Sequence, residues 1–122
     1  MADVRLSEQT KDQLIRLKRV TGIKTWNILC RWALCLSLSD SEPLIESPDG
    51  GESGIEMRWD VFGGEFQYIY HALLVYDCKE KGLEITERNI SRLARLHIQR
   101  GVNILANKKR VTALESLLQL AM

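Results

Sequence analysis

The sequence predicts a mainly α-helical protein. Its N-terminal unit runs strand, helix, helix; additional helices and one short strand or hairpin follow, and copies of the chain assemble as an oligomer. Three observations predict this. Val4-Arg5-Leu6 is a short extended piece, followed by the helix-capping Ser7, a periodic apolar pattern and a Thr21-Gly22 stop. From Trp26 to Leu38, ten of thirteen residues are apolar, and a helix apolar on every side must be buried on every side. The basic residues of this region gather on the first helix and at the mouth of the second. Strand, helix, tight turn and buried helix is the order of a ribbon-helix-helix unit, so the fold is read as ribbon-helix-helix-like over residues 4–38.

At 122 residues the chain is read as a single domain, 1–122, long enough for a real core. Its parts are the 4–38 unit, an acidic loop at 39–54, and a strand plus helices at 55–122. No run approaches the roughly 18 apolar residues of a membrane span, and Met-Ala-Asp-Val-Arg lacks the basic-then-apolar signature of a secretory signal. Cys30, Cys35 and Cys78 form an odd set, two of them inside an apolar helix, which suits buried thiols in a reducing cytoplasm. No membrane partner and a cytoplasmic location are expected.

The net charge of +1 hides an uneven distribution. Residues 1–31 carry seven Lys/Arg against three Asp/Glu, residues 32–57 carry six acids and no base, and residues 58–122 carry ten bases against seven acids. Two basic segments separated by an acidic one point toward a polyanionic partner.

In the first helix Leu14, Leu17 and Val20 fall at helical spacing, and Gly22 can take the left-handed conformation that closes it. Lys18 and Arg19 sit in its last turn. There Lys11, Arg16, Lys18 and Arg19 form either a solvated, dipole-compensating face or a phosphate-contacting one. Lys24 and Thr25 precede the second helix, whose unsatisfied first N–H groups make a ready anion site that a flanking lysine strengthens. Asn27 and Arg31, four apart on one face, need polar partners, either a local network or a phosphate backbone.

Residues 39–54 hold both prolines, three glycines and five acids. This is a loop or loose hairpin tipped by Pro48-Asp49-Gly50-Gly51, placed away from any polyanion-binding face by its charge. Ile55 to Val61 alternates apolar and polar residues and predicts a strand, broken by a Gly63-Gly64 turn. Glu65 to Lys81 predicts an amphipathic helix with Phe66, Ile69, Tyr70, Leu73, Leu74 and Asp77 on one stripe and Gly82 as its stop. A further helix is capped by Thr86 or Asn89 and turns Ile90, Leu93, Ala94, His97 and Ile98 inward, with a bend expected at Gly101. Arg88, Arg92 and Arg95 form a second stripe that reaches the acidic segment or faces a polyanion. Lys108-Lys109-Arg110 and a last amphipathic helix, Thr112 to Met122, complete the chain.

Catalytic patterns are missing: there is no HExxH, CxxC, GxSxG or Walker loop, and the histidines and cysteines never reach metal-ligand spacing. No cofactor, no metal and no enzyme activity are expected. Among the thiols, the apolar helix denies Cys30 and Cys35 an exposed setting, leaving Cys78, beside Lys79 and Lys81, as the least unsuitable nucleophile.

The combination of Arg5-Leu6-Ser7, Thr21-Gly22-Ile23, Asn27 to Leu34 with Ser37-Leu38, Phe62-Gly63-Gly64-Glu65 and His97-Ile98-Gln99-Arg100-Gly101 resembles the DNA sulfur-modification family DndE. That resemblance implies a small cytoplasmic bacterial protein of the phosphorothioation system, in which sulfur replaces a non-bridging phosphate oxygen of DNA. It further implies a mainly helical homotetramer that binds duplex DNA, preferring nicked duplex, alongside other proteins of the complex. It carries over no catalytic residue. Val4 and Leu6 flank a single Arg5, a poor surface for reading bases, so sequence-independent backbone contact is expected. The expected phosphate contacts are Lys11, Lys18, Arg19 and Lys24, with Lys108 and Lys109 second in rank. The rival readings are an assembly adaptor that binds partner proteins, and a sulfur-handling enzyme using Cys78.

Overall fold

A computed structural model describes residues 3–46 and 55–107. The elements in order are β1 (Val4–Leu6), α1 (Glu8–Thr21), α2 (Trp26–Leu38), β2 (Ile55–Met57), α3 (Trp59–Gly63), a 3-10 turn (Gly64–Phe66), α4 (Gln67–Glu80) and α5 (Glu87–Leu105). The fold is mainly helical with one small antiparallel sheet. The loop tip at Pro48 to Gly51, the cluster Lys108-Lys109-Arg110 and the expected last helix lie outside the described residues.

Local chemistry sets the boundaries of α1. The Ser7 hydroxyl accepts from the Thr10 N–H at 3.2 Å, and Gly22, at φ 78°, donates its N–H to the Lys18 carbonyl. Leu14 and Leu17 are fully buried, each burial contributing roughly 1.5–3 kcal/mol. Thr25 precedes α2 in extended conformation but makes no capping bond with its side chain. Thr86 caps α5 by accepting from the Asn89 N–H at 3.1 Å.

The strand expected over 55–61 is shorter than its alternation suggests. β2 ends at Met57, and residues 59–63 turn into α3. Trp59 and Phe62, one helical turn apart, are both buried and stack at 5.1 Å, whereas Val61 is 49% exposed. A strand would place Trp59 and Phe62 on opposite faces; the helix puts both aromatic rings into the core. β2 pairs with β1 in the register Val4↔Met57, Arg5↔Glu56 and Leu6↔Ile55. β1 therefore hydrogen-bonds within its own chain, where a ribbon-helix-helix dimer would pair it with a second copy.

α2 and α5 form the centre. The pairs Ser37–His97 and Ala33–Gly101 show that the two helices run antiparallel. α5 continues unbroken through Gly101, so the expected bend is replaced by a close crossing: a Cβ there would overlap the Ala33 backbone. α2 buries Leu29, Cys30, Ala33, Leu34 and Ser37 on that side, while Ile28 and Cys35 stay exposed. One chain therefore covers only part of the apolar helix. The stripe expected to pack α4 is corrected in the same way: Leu74 and Cys78 are buried, but Phe66, Ile69 (56%) and Leu73 face outward with Tyr76 (64%).

Candidate nucleic-acid interface

The turn between α1 and α2 brings several of the expected contacts together. Lys11, Lys24, Thr25, Trp26, Asn27, Met57 and Val61 line a hollow of about 420 Å³ at the N-terminus of α2. Lys18 stands over the Trp26 ring, its Nζ 4.7 Å from the ring centroid, a geometry that holds the ammonium by cation–π attraction. Lys11 also approaches Glu8 at 3.9 Å across one helical turn. Arg19 is exposed in the last turn of α1 and is not among the residues lining the hollow. Lys108 and Lys109 lie outside the described residues.

The electrostatics of this hollow favour an anion. Its lining carries two ammonium groups and no carboxylate. No acid occupies the first turn of α2 and the Thr25 side chain does not cap it, leaving the positive end of the helix dipole for a ligand. The floor is held from below. The Asn27 amide donates to the Val61 carbonyl at 3.2 Å, and Arg31 donates from Nε to the Phe62 carbonyl and from Nη2 to the Val61 carbonyl. Asn27 and Arg31 thus form a local network that satisfies the last carbonyls of α3. Trp26, Met57 and Val61 escaped the sequence reading, the latter two because they reach the site from another part of the chain. A tryptophan directly after Lys24-Thr25 was the available signal.

Several other basic residues are engaged elsewhere. Arg5 pairs with Glu56 across the sheet at 3.1 Å. Of the α5 stripe, Arg92 and Arg95 bind the two oxygens of Glu46 at 2.5 and 3.2 Å, so the acidic segment is their partner. Arg92 holds the Glu46 carboxyl below the usual carboxylate range, first through its hydrogen bond and then through its charge. Arg100 donates to the Ser37 hydroxyl, to the Ser37 carbonyl and to the Glu42 carbonyl at 2.6–2.8 Å, closing the C-terminus of α2.

Beneath that closure Ser37 Oγ lies 2.7 Å from His97 Nδ1, and His97 Nε2 lies 2.7 Å from Asp77 Oδ2. A serine, a histidine and an aspartate in contact invite comparison with a nucleophilic triad. Ser37 and His97 are both buried, however, and Ser37 already accepts from Arg100. The chain of bonds ties α2, α4 and α5 together and presents no nucleophile to a substrate. The thiols are placed otherwise than expected: Cys35 is exposed, while Cys78 is buried with its Sγ 3.4 Å from the Glu84 carbonyl. Burial pushes the Cys30 thiol up to about 12, making it a core residue. Among the described residues, no group of three His, Cys, Asp or Glu could hold a metal ion, and no helix is long and apolar enough to cross a membrane.

No protein of curated function matches this chain. The crystal structure of DndE from Escherichia coli B7A, involved in DNA phosphorothioation modification, superposes with a TM-score of 0.67 at 25% identity, over 86% of this chain and 96% of that one. The family model described as DNA sulphur modification protein DndE matches residues 3–113. The chain described here belongs to the DndE family of DNA sulphur modification proteins.

Proposed function

We propose that this protein is a non-catalytic accessory subunit of the DNA phosphorothioate modification system that grips the phosphate backbone of duplex DNA without reading its sequence. The carrying observation is the hollow at the α2 N-terminus, where Lys11 and Lys24 meet an uncapped helix end, with Lys18 at its edge. Lys18 and Lys24 bind phosphates flanking the hollow, Lys11 binds at its wall, and Arg19 extends the track along α1. Lys108 and Lys109 contribute second-rank contacts. The ribbon supports backbone contact over base readout, because its one cation, Arg5, is already paired with Glu56. Nicked duplex is the preferred substrate and the cytoplasm the place of action, as in the family resemblance.

The working form is a homo-oligomer, a tetramer by that resemblance. Its driving force is the apolar surface a single chain leaves open: Phe66 just before α4, Ile69, Leu73 and Tyr76 on α4, and Ile28 on α2. Assembly then repeats the lysine cluster once per copy and lines several clusters along one polyanion.

Titrating intact and nicked duplex at several salt concentrations, with particle mass measured in parallel, tests this. About five neutralised phosphates give a log–log salt slope near −4 to −5. Lys24→Ala weakens binding to all sequences alike and flattens the slope by about one. An assembled particle indifferent to DNA at low ionic strength removes the reading. The exposed α4 stripe also favours a second reading, an adaptor for other proteins of the complex. Charge reversal of Glu42, Glu46, Asp49 and Glu52 that abolishes co-purification but spares DNA binding selects it.

A further inference from the structure

The arginine stripe of α5 is closed by a carboxylate. Arg92 and Arg95, one turn apart, each take a different oxygen of Glu46, at 2.5 and 3.2 Å. Two guanidinium groups converging on two oxygens of one acid is also how a pair of arginines holds two non-bridging oxygens of a phosphate. Arg88 continues the same row and is exposed. The carboxylate arrives on a loop whose anchors lie earlier, where Arg100 holds the carbonyls of Ser37 and Glu42 and Leu44 packs against the core. Beyond those anchors Ile45 is 82% exposed and the Glu46 side chain is about half exposed. Ion pairs this open to solvent contribute little net stability and exchange readily.

We propose that Glu46 is an internal phosphate surrogate: its carboxylate fills a second anion site formed by Arg92 and Arg95, and a DNA phosphate displaces it. This site is separate from the lysine hollow. Because α2 and α5 run antiparallel, Arg92 and Arg95 lie beyond the C-terminus of α2, while Lys24 marks its N-terminus. Thirteen residues of helix separate the two ends, about 20 Å at the rise of an α-helix. The inference rests on the DNA-binding reading for its ligand and adds a second subsite that the acidic loop keeps shut. Displacement carries its own driving force, since each phosphate newly paired with an arginine releases condensed counterions.

The test compares Glu46→Gln with Glu42→Gln on the full chain, using a short duplex over a range of salt. The Glu42 variant removes the same charge from the same loop while keeping the backbone carbonyl that Arg100 holds. Glu46→Gln is expected to tighten binding several-fold and to steepen the log–log slope by about one to two. Glu42→Gln changes neither, and adding Arg92→Gln and Arg95→Gln to the Glu46 variant abolishes the gain. Equal effects of the two glutamate variants, or no effect of Glu46→Gln, overturn the proposal. Lys24→Ala separates it from the reading it rests on. If that variant weakens binding while Glu46→Gln does nothing, the plug alone is wrong. If wild type ignores DNA and Glu46→Gln binds it, the lysine hollow is wrong and the plug stands. If neither protein binds, both fall.

Discussion

His97 is 1% exposed, and both ring nitrogens are occupied. Burial lowers its pKa below the ordinary 6.5; Asp77 pulls upward without overcoming this, and Lys81 and Arg100 add to the lowering. The imidazole is therefore neutral at pH 7. With Arg100 donating to Ser37 Oγ, the hydroxyl proton goes to Nδ1, and the ring proton sits on Nε2 facing Asp77. For Asp77, burial pushes upward, but hydrogen bonds from Lys81 and His97 outweigh it and hold the carboxyl below 3.8. Both shifts act in one direction: below 6.5 the unfolded chain takes up a proton that folded His97 refuses, and below 3.8 the same holds for Asp77. Stability is complete above 6.5 and declines with acidification. The melting temperature should fall between about pH 7.5 and about pH 5.5, and His97→Gln should flatten that stretch. Replacing His97 by Leu leaves Ser37 and Asp77 without their shared partner and should cost roughly 1–3 kcal/mol in denaturant unfolding. That His97 faces inward was legible from its spacing with Ile90, Leu93, Ala94 and Ile98. Its partners were not, because Ser37 and Asp77 stand 60 and 20 residues away.

Among the elements, α1 and α5 were readable from caps and periodicity, since Ser7, Gly22 and Thr86 act on their immediate neighbours, and α2 from its almost unbroken apolar run. α3 was not. Its first three residues continue the alternation of β2, and the deciding contacts, Arg31 and Asn27 on the Val61 and Phe62 carbonyls, come from α2. Gly101 shows the same dependence on tertiary contact. Ala is preferred over Gly in an isolated helix by about 1 kcal/mol. Here the added methyl would meet the Ala33 backbone, which cannot swing aside as a side-chain tip can. Overpacking should win, so Gly101→Ala is expected to lose about 3 kcal/mol despite its better propensity. A gain in unfolding free energy would mean that the α2–α5 crossing is looser than described.

Across the whole molecule, the outward stripe on α4 carries the prediction. Ile69 and Leu73 are both exposed in the single chain, so Ile69→Glu with Leu73→Glu should leave far-ultraviolet circular dichroism intact. Light scattering should then report a smaller particle than wild type. The salt slope for DNA should flatten with it, because fewer lysine clusters remain on each particle. An unchanged mass would overturn the assembly proposed through this face.

The sequence by itself determined the helical class, the helix ends set by local caps, the excess of apolar surface on α2, and the segregation of charge into basic and acidic stretches. These follow from interactions within about one helical turn, or from composition. Tertiary structure decided which charges are paired. It left Lys11, Lys18 and Lys24 around an open hollow, spent Arg5 on Glu56, and closed Arg92 and Arg95 with Glu46. It also buried Cys78 and exposed Cys35. The reason is distance along the chain: an ammonium and a guanidinium look alike in sequence until the fold brings, or withholds, an acid from elsewhere in the chain.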